Sequence, residues 1–235
     1  MQVGELRQHI STHWDELKTS IINSSYCPSP VRKVEIPKAG GGKRMLGIPT
    51  VTDRFIQQSI HQWLSPQSEG DFSEYSYGFR PNRNAHQAVS QAQKFLNEGK
   101  IWIVEIDLEK FFDKVNHDKL MSLVEKKIND KRTLRLIRQY LVSGIMEGGT
   151  VSPRIEGTPQ GSPLSPLLSN ILLNELDKEL QQRGHSFVRY ADDSSIYVRS
   201  EKAARRTAAS IIPYIEQRLK LKVNKEKTKV SRPME

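Results

Sequence analysis

The chain has 235 residues, 36% of them hydrophobic, which is long and apolar enough for one large domain or two small ones with a real core. Lys and Arg number 36 against 27 Asp and Glu, and the net charge of +9 draws polyanions over long range, solubility alone being the bland alternative. A single cysteine, Cys27, rules out an internal disulfide or a cysteine-rich zinc site; no apolar run reaches the about 20 residues of a membrane span, and the opening MQVGELRQHI is no secretory signal, so the expected location is the cytoplasm, away from membranes.

An amphipathic helix is predicted over 3–22, from Leu6, Ile10, Trp14, Leu17 and Ile21 at spacings of three and four. YCPSP at 26–30 ends it, and the extended runs VRKVEIPK and MLGIP, joined by a glycine-rich tip, read as a β-hairpin. Helices follow from about Asp53 and over 84–97, the second stopped by Gly99. IWIVEID, 101–107, reads as a buried strand. Beyond it come helices at 117–128 and 133–142, a small hairpin at 145–155, and a long helix at 164–183 with Pro163 and Pro166 near its first turn. FVRY and SSIYVRS are strands flanking a turn at 191–193. A helix at 202–219, kinked or split by Pro213, precedes strands near 221–223 and 227–230. Trp14, Trp63 and Trp102 are expected in the core, and His61, His86 and His117 at the surface or at helix ends.

With 117–155 set aside, the order from residue 101 is β, α, β, β, α, β, a ferredoxin-like core. Right-handed crossovers place the first strand beside the central hairpin. Asp107 ends that strand, and Asp192 and Asp193 sit in the hairpin turn, so three carboxylates converge on one end of a sheet. Their repulsion is tolerable beside a divalent cation, and hard oxygen ligands favour Mg²⁺, with Mn²⁺ as a substitute. Two such ions about 3.5–4 Å apart suit in-line phosphoryl transfer. An Asp-Asp pair alone is more often a solvated turn. Tyr190 just ahead of the pair and the aspartate closing a buried strand weigh against that reading.

Tyr190-Ala191-Asp192-Asp193 resembles the YADD box of reverse transcriptases. IDLEKFFD (106–113) resembles their aspartate motif, and GTPQGSPLSP (157–166) their PQG motif. RKVEIPK through TVTDRFIQQ (32–58), SYGFRPNRNAHQAV (76–89) and LKVNKEKT (221–228) are similar to the remaining boxes, in family order over about 26–230. The wording is that of bacterial group II intron proteins. The resemblance implies an α+β fold: right-hand polymerase fingers and palm, the palm a ferredoxin-like βαββαβ core with an antiparallel sheet, and the thumb absent from a chain that reads as a piece of a larger protein. Residues 1–99 would be N-terminal helix and fingers, 100–116 the first catalytic strand of the palm, 117–155 a helical fingers insertion, and 156–235 the rest of the palm.

The resemblance also implies an RNA-directed DNA polymerase that extends a DNA primer on an RNA template, intron RNA included, with deoxynucleotides and two Mg²⁺ ions. Asp107, Asp192 and Asp193 are its catalytic carboxylates, and Leu108 joins them in the metal-binding set. Lys38 and Arg44 meet the triphosphate, with Gln160 on the nucleotide or template. Phe112, five residues after Asp107, excludes a 2′-hydroxyl and Phe111 is core, unless the two are exchanged. Arg32, Pro159 and Gly161 belong to the template side, where Arg80 either contacts template or packs a helix. Lys227 is either the general acid for pyrophosphate or a solvated strand lysine. Two other readings stand: an RNA-binding splicing factor without polymerase activity, and a retron, diversity-generating or CRISPR-linked enzyme. Pairing with a second copy of the chain is also expected.

Overall fold

The computed structural model describes residues 2–37 and 41–233. A 3₁₀ turn, Val3–Glu5, leads into α1 (Leu6–Ile22), which bends at His13, where φ is −112° and ψ 15°. None of α1 is fully buried, although Leu17 and Ile21 touch the core. The predicted face therefore exists but is only partly used. Trp14, 45% exposed, and Trp63, 48% exposed, are not core residues as expected, and Trp102 is half-buried under Arg232.

β1 (Val31–Pro37) and β2 (Lys43–Ile48) form the expected antiparallel hairpin. α2 (Val51–Glu69) starts at Thr50, whose hydroxyl accepts from the Asp53 N–H, and α3 (Ala85–Asn97) at Asn84 in a reciprocal capping box with Gln87. β3 (Trp102–Ile106) is followed by a short helix, α4 (Phe111–Lys114), that periodicity could not reveal. Then come α5 (His117–Val124), α6 (Lys131–Val142), β4 (Ile145–Glu147) and β5 (Thr150–Ser152). β4 pairs parallel with β1, giving a first sheet in the order β2-β1-β4-β5.

α7 (Ser165–Gln182) is buried on nearly every side, from Leu167 to Leu180, and is the axis of the main core. β6 (Ser186–Tyr190), β7 (Asp193–Val198), α8 (Glu201–Arg218) and β8 (Lys229–Ser231) complete a second sheet in the order β6-β7-β3-β8. All its pairings are antiparallel, so the predicted βαββαβ arrangement holds and β3 lies beside the β6–β7 hairpin. Two details differ. The strand expected at 221–223 is one bridge, Leu108 to Val223, and α8 runs unbroken through Pro213. Pro213 and Ala209 both lie on the exposed side, where water can take up the carbonyl that the proline leaves unbonded.

Alternation along the strands sorts two cores. Val104, Ile106, Phe187 and Ile196 join the α7 and α8 side, while Ile103, Val188 and Tyr197 meet Phe95 of α3 and Tyr75. Among the described residues no helix is long and apolar enough to cross a membrane. Phe187 is fully buried, so Phe187→Ala is expected to cost about 3–5 kcal/mol of unfolding free energy in urea. A loss under about 1 kcal/mol would remove it from the centre of the core.

Candidate active site

Asp107 directly follows β3, and its backbone is held by the segment that leads into β8. Its N–H donates to Thr228 Oγ1 (3.2 Å), and its carbonyl accepts from the Asn224 N–H (2.9 Å). Extending the β3–β7 register one step past Ile106↔Ser194 sets Asp107 opposite Asp193. Extending β3–β8 two steps past Glu105↔Lys229 sets it opposite Lys227, whose Nζ lies 3.9 Å from Asp107 Oδ2. A carboxylate thus stands on one side of Asp107 and an ammonium on the other.

Asp192 occupies the two-residue turn between Tyr190 and Asp193, with Ala191 ahead of it at φ 56°. Asp107 and Asp192 line one open cleft of about 1110 Å³, together with Arg44, Leu108, Phe111, Phe112, Pro159, Gln160, Gly161 and Lys227. Asp193 lines a smaller neighbouring recess with Asp107, Glu105 and Lys227. The charges of Asp192 and Asp107, added to partial burial as the main cause, push the Asp193 carboxyl above the usual carboxylate range, while Lys227 pulls it down. The three carboxylates expected from sequence do come to one end of the sheet, but not into one pocket: Asp107 and Asp192 share the cleft, and Asp193, opposite Asp107 in the register, lines the adjoining recess with it. Among the described residues no three His, Cys, Asp or Glu side chains are gathered closely enough to hold an ion. Two hard carboxylates in one cleft nonetheless fit a divalent cation. Leu108 has a hydrocarbon side chain, here buried, and can offer an ion only its backbone carbonyl.

The PQG segment is bound on every side. Gly157 N–H donates to the Val115 carbonyl (2.7 Å) and Thr158 N–H to Phe112 (2.6 Å), while Gly47 N–H of β2 donates to Gln160 (2.8 Å). Gly157, at φ 87°, would set a Cβ 2.7 Å from the Asp113 carbonyl oxygen, so no larger residue fits. Ser162 Oγ donates to the buried Gln57 of α2. These links bring Gln160, half-buried, beside Phe112. Phe111 is 3% exposed and Phe112 faces the cleft, braced edge-on by Phe79 and Phe111 at centroid distances of 6.4 and 5.2 Å.

Other expected residues fall elsewhere. Lys38 lies outside the described residues. Arg32, on β1 opposite Ile48, is exposed and does not line the cleft. Arg80 is turned inward, onto Glu69 Oε1 (3.0 and 2.7 Å) and the Ser73 and Ser76 carbonyls, with its guanidinium over Phe72. Of its two readings, packing matches the geometry and template contact does not.

Sequence reasoning missed Arg54, which lines the cleft although its Nε is buried without a hydrogen-bond partner. Its signal was its place in TVTDR, within the first box. Also missed was Arg189, fully buried beside the turn. It forms a two-oxygen ion pair with Asp177 and further bonds to Asn170 and Ala191. A charge inside the apolar run FVRY was its only signal. Gly78 packs against the same turn so closely that a Cβ there would stand 2.1 Å from the Ala191 nitrogen.

Residues 36–235 match the family described as reverse transcriptase (RNA-dependent DNA polymerase), and the chain belongs to that family. Protein YkfC of Escherichia coli (strain K12) is 33% identical over 264 residues, covering 96% of this chain and 69% of that protein. Group II intron-encoded protein LtrA of Lactococcus lactis subsp. cremoris is 40% identical over 171 residues, covering 72% of this chain but 28% of its own length, which agrees with the resemblance drawn above. The telomerase from Candida albicans, solved in complex with a TWJ fragment of telomeric RNA, shares the fold at a TM-score of 0.71 and 14% identity, over 90% of this chain and 43% of that one.

His117, expected at the surface or at a helix end, is the first residue of α5 and is buried there, and its Nε2 donates to the Gly157 carbonyl (2.7 Å). Burial is the main cause that holds its imidazole below the ordinary 6.5; Arg138 and Arg154 add to this, and the Gly157 bond and Asp118 oppose it. The unfolded chain therefore takes up a proton at higher pH than the fold does. The contribution of His117 is fully present above pH 6.5 and is lost as pH falls through the folded value. His117→Gln should make the decline of stability below pH 6.5 shallower. Urea midpoints that fall as steeply as in the unchanged protein would contradict this.

Proposed function

We propose that this chain carries the polymerase site of a group II intron-type reverse transcriptase, which adds deoxynucleotides to a primer 3′-hydroxyl on an RNA template. The observation that carries the reading is the placing of Asp107 and Asp192 in one cleft with Arg44, Phe112 and Gln160. A binding-only splicing factor has no need of that convergence. Residues 1–99 and 117–155 are read as fingers, and 100–116 and 156–235 as palm.

Asp107, Asp192 and the Leu108 carbonyl would hold Mg²⁺ or Mn²⁺, with Asp193 in support from the neighbouring recess. Bound ions of this kind activate the attacking hydroxyl and neutralise the leaving pyrophosphate. Arg44 and Arg54 supply permanent positive charge to the triphosphate, together with Lys38. Lys227, whose ammonium lies 3.9 Å from Asp107, would protonate the leaving group. Phe112, held by two other rings, presents a rigid wall to the sugar, and a 2′-hydroxyl has no room against it. Gln160, fixed through its carbonyl, offers its amide to nucleotide or template, beside Pro159 and Gly161. Arg32 is left to the outer template path. Intron RNA, through the positive surface, and a second copy of the chain are further partners in this reading.

Extension of a DNA primer on RNA by the full-length protein with Mg²⁺ should vanish in Asp192→Ala while the fold is kept; extension at the unchanged rate would remove Asp192 from the chemistry. In the same assay Phe112→Val should raise ribonucleotide use relative to deoxynucleotide by about tenfold or more. Unaltered sugar preference would place the gate on another residue.

A further inference from the structure

We propose that Arg189 is a positioning residue: a buried strut from α7 that holds the turn carrying Asp192 in its working geometry. This rests on the polymerase reading of the cleft.

Arg189 belongs to β6, and strand alternation puts its side chain on the same face as Phe187, toward α7. There Nε donates to both Asp177 oxygens (2.8 and 3.1 Å), and Nη2 donates to Oδ2 (2.6 Å). Nη1 is divided between Asn170 Oδ1 (2.9 Å) and the Ala191 carbonyl (2.8 Å). Asn170 in turn donates its amide to the Gly78 carbonyl (3.0 Å). Gly78 packs against the Ala191 backbone, and its neighbours tie down the Arg189 backbone: Arg189 N–H donates to Tyr75 (2.9 Å), and Tyr77 N–H to the Arg189 carbonyl (2.9 Å). The turn is thereby tied into one hydrogen-bonded unit with α7 and the segment at Tyr75–Gly78. Arg189, Asp177 and Asn170 are all at most 1% exposed, so the unit is shielded from bulk solvent.

Two physical arguments turn this geometry into a role. A buried ion pair is a poor source of stability, because apolar residues of the same volume often do as well or better. The bond of Arg189 to the Ala191 carbonyl gives this pair another role. The turn itself needs holding: Ala191 sits at φ 56°, unfavourable for a residue with a Cβ, and two adjacent carboxylates, Asp192 and Asp193, follow it directly. A guanidinium bonded to the Ala191 carbonyl fixes the residue just before Asp192. The carboxylate is then in place before substrate arrives.

The test uses the full-length protein and the double substitution Arg189→Met with Asp177→Leu, which removes the strut without leaving a buried charge. It should melt within a few degrees of the unchanged protein. Hydrogen exchange at the amides of residues 191–193 should quicken by about tenfold or more, the worth of one lost hydrogen bond. The kcat of primer extension should fall by about a hundredfold at unchanged KM for deoxynucleotide, with a higher Mg²⁺ concentration for half-maximal rate. Unchanged exchange, kcat and Mg²⁺ response in a folded double variant would overturn the proposal. If the double variant does not fold, Arg189→Lys decides. It keeps a charge for Asp177 but lacks the fork that also reaches Ala191, so it should show the same changes, and unaltered values would again overturn it. Should the unchanged protein extend no primer, the polymerase reading fails while the exchange measurement still judges the strut.

Discussion

Asp107 stands where it does because five backbone pairs, Trp102↔Val198 to Ile106↔Ser194, lock β3 against β7 in one register. A slip of one residue would send every side chain of β3 to the other face. The hydrophobic pattern forbids that slip, since Val104 and Ile106 are needed on the α7 side and Ile103 on the α3 side. The same constraint that builds two cores therefore gathers Asp107, Asp192 and Asp193 at one end of the sheet. Like charges are brought together at a cost that apolar packing offsets. Lys227 and Lys229 on β8 and its approach temper it, the latter 3.2 Å from Glu105.

The remaining parts of the cleft depend on buried polar links more than on apolar contact. Gln57, His117 and the backbone of Phe112 and Val115 tie the PQG segment to α2, α5 and α4. Arg189, Asp177 and Asn170 tie the β6–β7 turn to α7. Apolar packing tolerates small sliding movements; directional bonds in a dry interior do not. A site that must hold reacting groups to fractions of an ångström is well served by the second kind of support.

Much of this was legible in the residues. The apolar run at 101–107, the long apolar helix and the paired strands around Tyr190-Ala191-Asp192-Asp193 carried the topology, because burial on one or both faces leaves a period in the sequence. What was not legible has a common cause. Arg80 and Arg189 are arginines in short motifs, and nothing in the motif says whether a guanidinium faces water or the interior; that depends on Glu69 and Asp177, which lie outside the motif, each on a neighbouring helix. Trp14 and Trp63 sit at helical spacing with apolar neighbours, yet the faces that carry them are only partly covered. The four residues of α4 are too few to show a period.

The central claim is that Asp107 and Asp192 jointly hold a divalent ion in the cleft. Anomalous diffraction at the manganese edge, from crystals of the full-length protein grown with Mn²⁺, primer–template and a non-hydrolysable deoxynucleotide, tests it most directly. The account predicts anomalous density bonded to carboxylate oxygens of both Asp107 and Asp192, on the nucleotide side of the cleft. Manganese bound elsewhere, with those two carboxylates turned apart, would contradict it.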